Sequence, residues 1–342
     1  MRILLLAGSY PPETGGIAEF MRAFARGLPA NGAEVETIAN PPLPGGYFKR
    51  VDFCRNLVLE RLRSRPFDRV VTSSWSPYAV GLPDIPFDVF CHGMDLLEPS
   101  RSWRYRVLMK RTLQRASRIL ANSAYTAGLA ATLGAPTERT VILHPGIDTD
   151  RFRPGPERGD AQVILSVGRL VERKGFDMVI RALPEVRKQF PGIQYWCAGD
   201  GPDRERLRAM ASDLEVQSHI RWLGEITEDA KAGLYQSADV FAMPNRIVES
   251  EGSVEGFGIV FLEAAACALP VIAGDSGGSP DAVVHNQTGF IVSPMSQSEI
   301  TGRLIELLGD GALRHRLGNA GRARARSDFR EEQIAERYLR AI

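Results

Sequence analysis

The feature that most restricts what this chain can fold into is a rhythm. Short apolar runs alternate with stretches of three-and-four spacing from one end to the other. RILLLA (2–7), EVETIA (34–39), DRVVTS (68–73), DVFCHG (88–93), RILANS (118–123) and TVILHPG (140–146) read as strands. Between them lie helical patterns such as Ile17, Phe20, Met21, Phe24 and Leu28, whose spacing gathers them on one helix face. LHPGIDTDRFRPGPERGD (143–160), rich in Pro, Gly and charge, reads as a linker. A second series follows: QVILSVG (162–168), IQYWCAG (193–199), HIRWLG (219–224), DVFAMP (239–244), LPVIAG (269–274) and GFIVSP (289–294). Uninterrupted apolar strands are buried on both faces, which is the condition of a parallel sheet covered by helices. The alternation therefore predicts an α/β chain of two Rossmann-like, doubly wound parallel-sheet domains, residues 1–152 and 153–327. The amphipathic end FREEQIAERYLRAI predicts a helix over 328–342 that packs back on the first domain.

A chain of 342 residues has room for two such cores, and 44% hydrophobic with 24% charged residues is ordinary for a soluble protein. No apolar run reaches membrane-spanning length, and MRILLLAGSYPP is too quickly broken to be a signal peptide. Cys54, Cys91, Cys197 and Cys267 show neither pairing nor metal spacing and read as free thiols in a reducing cytoplasm. The NQT at Asn286 matches a glycosylation acceptor, which has meaning only in a secreted chain. Residues 1–152 hold 19 lysines and arginines against 14 acids, and the remainder 23 against 27, so the first half suits an anionic partner better.

In open α/β sheets ligands bind beyond the carboxyl ends of the strands, so the residues at those ends carry the functional reading. The first strand runs into GSYPPETGGIAEF, where Gly15 and Gly16 open a helix whose start favours a phosphate. DVFCHGMD puts His92 at another strand end. SVGRLVERKG offers Arg169 and Lys174 between Gly168 and Gly175, two cations suited to a diphosphate leaving group. MPNRIVESEGSVEGFGIVFLEA sets Glu255 in a glycine-rich turn and Glu263 inside the next helix, with Gly256, Phe257 and Gly258 at that helix's start. A carboxylate among Phe261, Leu262 and Ala264–Ala266 needs a partner, and a pair of sugar hydroxyls would serve. GDSGGSPDAV repeats the order of strand end, paired glycines and helix. The DTD at 148–150 has the look of a metal-binding pair but falls in the linker.

Taken together, the paired glycines of the first loop, HG at 92–93, GRLVERKG, GDGP at 199–202, EGFGIVFLE and SGG resemble the retaining family-4 glycosyltransferases over nearly the whole chain. The stretch VEGFGIVFLEAAACALPVIAGDSGGSPDAV is most similar to bacterial mannosyltransferases of the phosphatidylinositol-mannoside type. The resemblance implies the type-B fold (GT-B), two Rossmann-like domains facing each other across a cleft, the first for the acceptor and the second for the nucleotide sugar. It implies transfer of a hexose with retention, without a metal or other cofactor. The donor would be GDP-mannose or, as the alternative, a UDP-sugar such as UDP-glucose or UDP-GlcNAc; the acceptor would be lipid-linked or a glycan. By position, Arg169 and Lys174 would hold the diphosphate, Glu255 and the backbone of Gly256, Phe257 and Gly258 the donor sugar, and Glu263 the ribose. Gly15 and Gly16, with Gly168, would lie at the phosphates, and His92 near the reacting centre. The segment RIVESEGSV before Glu255 is longer and more acidic than in many relatives.

SRSWRYRVLMKRTLQRASRIL (100–120) carries Arg101, Arg104, Arg106, Lys110, Arg111, Arg115 and Arg118 without an acid. Two readings stand: a surface helix with a solvated basic face, or a helix lying on an anionic membrane with Trp103, Val107 and Leu108 as its apolar side. The second would put a cytoplasmic enzyme at the inner face of the plasma membrane. No recognised nucleic-acid module is present. The rival functions are a sugar-nucleotide epimerase of the same architecture and a nucleotide-sugar-binding protein without turnover. A dehydrogenase is disfavoured, since no GxGxxG follows either opening strand.

Overall fold

A computed structural model describes residues 1–100, 102–156 and 163–342. Arg101 and the linker positions 157–160 therefore lie outside the described residues. The chain divides into two compact units, Met1–Gly146 with Glu331–Ile342, and Ile147–Arg330. The units part a few residues before the boundary drawn from sequence. Ile147 and Phe152 are buried in the core of the second unit, where Ile147 N–H donates to Phe329 O at 2.7 Å.

Each unit is built on a six-stranded, wholly parallel sheet. The first holds β1 (Arg2–Ala7), β2 (Glu34–Ala39), β3 (Arg69–Thr72), β4 (Phe87–Cys91), β5 (Arg118–Ala121) and β6 (Thr140–Ile142), in the order β2-β1-β3-β4-β5-β6. The second holds β7 (Val163–Val167), β8 (Gln194–Ala198), β9 (Ile220–Gly224), β10 (Val240–Met243), β11 (Val271–Gly274) and β12 (Gly289–Val292), in the order β12-β11-β10-β7-β8-β9. Each strand falls inside one of the apolar runs quoted above, except that β4 begins one residue earlier, at Phe87. Burial explains why some runs are purely apolar and others mixed. The central β4 and β7 are buried at every residue, whereas the edge strand EVETIA has none fully buried and alternates accordingly.

The helix Gly16–Ala30 turns Phe20, Met21, Phe24 and Leu28 inward, each side chain contributing about 1.5–3 kcal/mol of transfer free energy. Ile17, in the first turn of the helix, departs from the expected stripe and is 41% exposed. The terminal helix Glu332–Ala341 lies against Gly16–Ala30 within the first unit, and a Cβ on Gly27 would come within 2.8 Å of Ala335 Cβ. Its Tyr338 Oη donates to Asp88 Oδ2 at 2.7 Å, while Arg69 holds the other oxygen of that buried acid at 2.8 Å. No helix among the described residues is long and apolar enough to cross a membrane.

The basic segment 100–120 is not one helix. The helix runs Trp103–Arg115, and Arg118 already belongs to β5. Its packed face is Met109, Thr112 and Leu113, with Leu108 partly covered. Trp103 and Val107, four residues apart, are left outward at 71% and 42% exposed.

Candidate active site

In the second sheet the chain order reverses between β7 and β10, both of which are neighbours in the sheet although far apart in sequence. The loops leaving these strands diverge there and leave a crevice at the carboxyl ends. The loop after β7 is Gly168–Gly175; the loop after β10 runs from Pro244 to the helix Ile259–Ala266. They carry Arg169 and Lys174, and Glu255, respectively.

The first loop is docked on GDGP: Leu170 N–H donates to Asp200 O at 2.9 Å and Leu170 O accepts from Asp203 N–H at 3.1 Å. A Cβ on Gly201 would sit 2.3 Å from Leu170 O, so this contact requires glycine. The loop then tightens into the single turn Glu172–Lys174 and aims Lys174 inward. Lys174 Nζ lies 2.6 Å from Glu255 Oε2, and Arg173 Nη1 reaches the same oxygen at 2.7 Å. Burial pushes the Glu255 carboxyl up, but Lys174 and Arg173 more than reverse this and hold it below its usual value. Burial lowers Lys174, partly offset by Glu255, with Glu263 close enough to contribute in the same sense. Arg169 is exposed, and its side chain has no partner among the described residues. Two cations on Glu255 plus a third left open give the crevice surplus positive charge, which suits a diphosphate.

Glu255 is held from behind by the third strand end. Gly278 N–H donates to Glu255 O at 2.9 Å. A Cβ on Gly277 would lie 2.2 Å from Glu255 O, and one on Gly278 2.1 Å from Gly256 O. The paired glycines of GDSGG thus let two backbones touch. Gly256 and buried Phe257 follow, and Gly258 caps the helix Ile259–Ala266, which points its free N–H groups at the crevice. Phe257 is anchored by its ring against Phe329. Inside that helix Glu263 is buried and already partnered: Tyr235 Oη donates to Oε2 at 2.5 Å and Lys231 Nζ to Oε1 at 3.2 Å.

Several groups here escaped the sequence reading. Arg246 forms a two-pronged pair with Asp177, Nη1–Oδ1 3.0 Å and Nη2–Oδ2 2.9 Å, with both side chains buried. Its backbone N–H donates to Arg173 O at 2.8 Å, so this pair clamps one loop of the crevice to the other. Asn245 reaches the third loop, accepting from Ser279 Oγ at 3.0 Å and from Gly274 N–H at 3.2 Å. Lys231 and Tyr235 stand four apart on the helix Glu228–Gln236, a spacing visible in sequence, although what they face is not.

In the first unit, His92 follows β4 and is buried, stacked parallel to Phe90 with centroids 6.0 Å apart. Its Nε2 lies 2.9 Å from Ser73 O. A carbonyl only accepts, so Nε2 carries the proton, and burial, which lowers the ring's pKa, keeps it neutral. His92 N–H donates to Asp95 Oδ1 at 2.8 Å, while the buried Asp95 Oδ2 has no partner. Gly15 and Gly16 are exposed at the start of Gly16–Ala30. Asp148 of DTD caps its own turn, accepting from Asp150 and Arg151 N–H at 3.0 and 2.9 Å. No cluster with metal-ligand character occurs among the described residues.

Two parallel sheets, each with chemistry at its carboxyl edge, and a cationic crevice beside one partly buried and one buried acid suit a protein that holds an anionic nucleotide. Comparison with known proteins makes this specific. The family model "Glycosyl transferases group 1" matches residues 148–324, and "Glycosyltransferase Family 4" matches 14–151. The GDP-mannose-dependent alpha-(1-6)-phosphatidylinositol monomannoside mannosyltransferase of Mycobacterium tuberculosis is 31% identical, covering 98% of this chain and 96% of its own. The GDP-mannose-dependent monoacylated alpha-(1-6)-phosphatidylinositol monomannoside mannosyltransferase of Corynebacterium glutamicum is 30% identical over 100% and 97%. Among solved structures, sucrose-phosphate synthase of Thermosynechococcus elongatus superposes with a TM-score of 0.84 at 20% identity, covering 99% of this chain and 98% of its own. Anabaena HepE in complex with UDP and glucose superposes with 0.80 at 20% identity over the same shares. The chain belongs to the family-4 glycosyltransferases: it is a retaining, nucleotide-sugar-dependent enzyme with the GT-B fold. That membership sets aside the epimerase, the dehydrogenase and the binding protein without turnover.

Proposed function

We propose that the protein transfers mannose from GDP-mannose to a phosphatidylinositol-type lipid acceptor, with retention and without a metal. The observation that carries this is the pair of buried Lys174 with partly buried Glu255, 2.6 Å apart at the reversal of the second sheet. The mannosyltransferases of M. tuberculosis and C. glutamicum, which match along their whole lengths, support the donor and acceptor class. The second unit takes the donor: Lys174 and Arg169 meet the diphosphate, with Gly168 beside them. Glu255 accepts hydroxyls of the mannose, the N–H groups at Gly256, Phe257 and Gly258 complete that cradle, and Glu263 accepts the ribose hydroxyls.

In the reaction the bond from the sugar's anomeric carbon to the β-phosphate oxygen breaks. The acceptor oxygen forms its bond to that carbon on the same face, and the acceptor proton passes to the departing phosphate. The residues contribute position and charge: cations stabilise the phosphate as its charge grows, and Glu255 faces the positive character of the sugar.

The first unit takes the acceptor at the inner face of the plasma membrane. Trp103 and Val107 point outward beside exposed Arg104, Arg106, Lys110 and Arg111, and Phe48 is 77% exposed on a neighbouring helix whose Tyr47 ring meets Tyr105 at 5.2 Å. Apolar anchors ringed by arginine and lysine suit an anionic bilayer.

The test begins with thermal unfolding in GDP, UDP, ADP or NAD, where a ligand at 100 times its Kd adds about 2.7 kcal/mol. Selective stabilisation by GDP is expected; stabilisation by UDP alone would replace mannose by another sugar. Labelled transfer from GDP-mannose to vesicles containing phosphatidylinositol mannoside should then be lost in Lys174→Ala and Glu255→Ala with folding retained. Full activity in both variants would remove the site assignment.

A further inference from the structure

Glu263 poses a physical problem that its family role leaves open. A buried carboxylate with no partner costs several kcal/mol, yet one fully engaged by the protein has nothing left for a ligand. The structure resolves this with one donor per oxygen. Tyr235 Oη donates its single proton to Oε2 at 2.5 Å, and Lys231 Nζ donates to Oε1 at 3.2 Å. Each carboxylate oxygen accepts two hydrogen bonds, so each keeps one site open, and the two open sites are fixed in a common plane.

The two donors are themselves fixed. Lys231 Nζ also meets Glu228 Oε1 at 2.8 Å, and Glu228 Oε2 lies 3.3 Å from Arg151 Nη2. Tyr235 is fully buried, with its ring edge-on to Phe152 at 5.9 Å and tilted against Phe241 at 5.7 Å. Burial and the Glu263 charge raise the Tyr235 hydroxyl well above its ordinary range, so it stays a donor. Burial lowers Lys231, but Glu263 and Glu228 outweigh it and keep the ammonium charged.

We infer that Tyr235 and Lys231 are positioning residues that set the orientation of Glu263, so that its two open acceptor sites match the spacing of a vicinal diol and the site selects a ribonucleotide over its deoxy form. The inference rests on the reading of Glu263 as the ribose acceptor. Removing either donor leaves Glu263 able to accept a hydroxyl but free to rotate, so the loss falls on discrimination between ribose and deoxyribose rather than on phosphate binding.

The experiment is calorimetric titration of the full chain with GDP and UDP, each against its 2′-deoxy counterpart, for wild type, Glu263→Gln, Tyr235→Phe, Lys231→Met and Lys231→Arg. A hydroxyl donating to a carboxylate is worth about ten-fold or more in affinity, so the wild type should prefer the ribonucleotide by that factor. Tyr235→Phe and Lys231→Met should bring the ratio toward unity while affinity for the deoxynucleotide changes little; Lys231→Arg should keep the ratio. A role confined to folding would lower both affinities together and leave the ratio alone. If wild type and Glu263→Gln both fail to discriminate, the ribose reading of Glu263 falls. If Glu263→Gln loses discrimination while Tyr235→Phe and Lys231→Met retain it, the reading stands and the positioning inference is overturned.

Discussion

Arg246 and Asp177 provide the sharpest quantitative check on how the crevice is held. Both side chains are 8% exposed and share two hydrogen bonds of 2.9 and 3.0 Å. Removing one partner of such a pair typically costs about 3–5 kcal/mol, because the other charge is left buried. The two removals are not equivalent. Without Asp177, Arg246 still reaches the half-exposed Glu172 at 3.3 Å. Without Arg246, Asp177 keeps a longer-range attraction to Arg206 and the start of the helix Phe176–Gln189, whose dipole favours an acid by up to about 2 kcal/mol. Arg246→Met should therefore sit near 3 kcal/mol, which for a unit the size of Ile147–Arg330 lowers Tm by about 6–12 °C. Asp177→Leu should cost less, and the double variant, with no orphaned charge, should recover much of the loss. Urea unfolding of the four proteins closes the cycle. A coupling energy indistinguishable from zero would refute the clamp as an energetic unit. Catalysis gives a second view: a double variant that regains stability but not transfer would show that the pair sets the spacing of Lys174 and Glu255.

Two further outcomes follow from the same crevice. The Glu255 carboxyl is held below its usual 4.5, so its contribution to stability is complete above that value and is lost as pH falls through the folded-state pKa. The stability gap between wild type and Glu255→Gln should accordingly narrow below about pH 4.5, and a gap equal at neutral and acid pH would contradict the pairing with Lys174 and Arg173. Gly278→Ala would press a methyl to within 2.1 Å of Gly256 O, displacing the Glu255 segment, so transfer should fall far more than Tm. Unchanged kcat and KM for the donor would show that this backbone contact does not position Glu255.

The fold was legible because it rests on local pattern. The apolar runs and the three-and-four spacing of Phe20, Met21, Phe24 and Leu28 need only near neighbours in sequence to be read. Parallel pairing follows from β4 and β7 being apolar at every position but one, Asp88 and Ser166, and buried at all, since both their faces are covered. Lys174 and Glu255 are assigned to one site from the strand ends they follow and from family resemblance, but their ion pair was not legible, for they stand on different loops. What stayed hidden is what strand order creates. Asp177 begins one helix and Arg246 leaves another strand, and nothing in either segment announces the other until β7 and β10 lie side by side. Tyr235 and Lys231 look like ordinary helix residues because the helix carrying Glu263 comes after the next strand. Ile17 misled, because the three-and-four spacing puts it on the buried stripe although it lies exposed in the helix's first turn.

The placement of the last helix has a consequence for how the chain comes into being. Phe24, Gly27 and Asp88 of the first unit are completed by Tyr338 and Ala335, which leave the ribosome after the whole of Ile147–Arg330, itself one unbroken stretch. The unit that begins first is thus finished second. During synthesis Ile147–Arg330 can close its core while the other unit still waits, with a buried aspartate lacking the hydroxyl that will satisfy it. A lesion within Glu331–Ile342 therefore damages the unit that opens at Met1 and leaves the preceding stretch, Ile147–Arg330, whole.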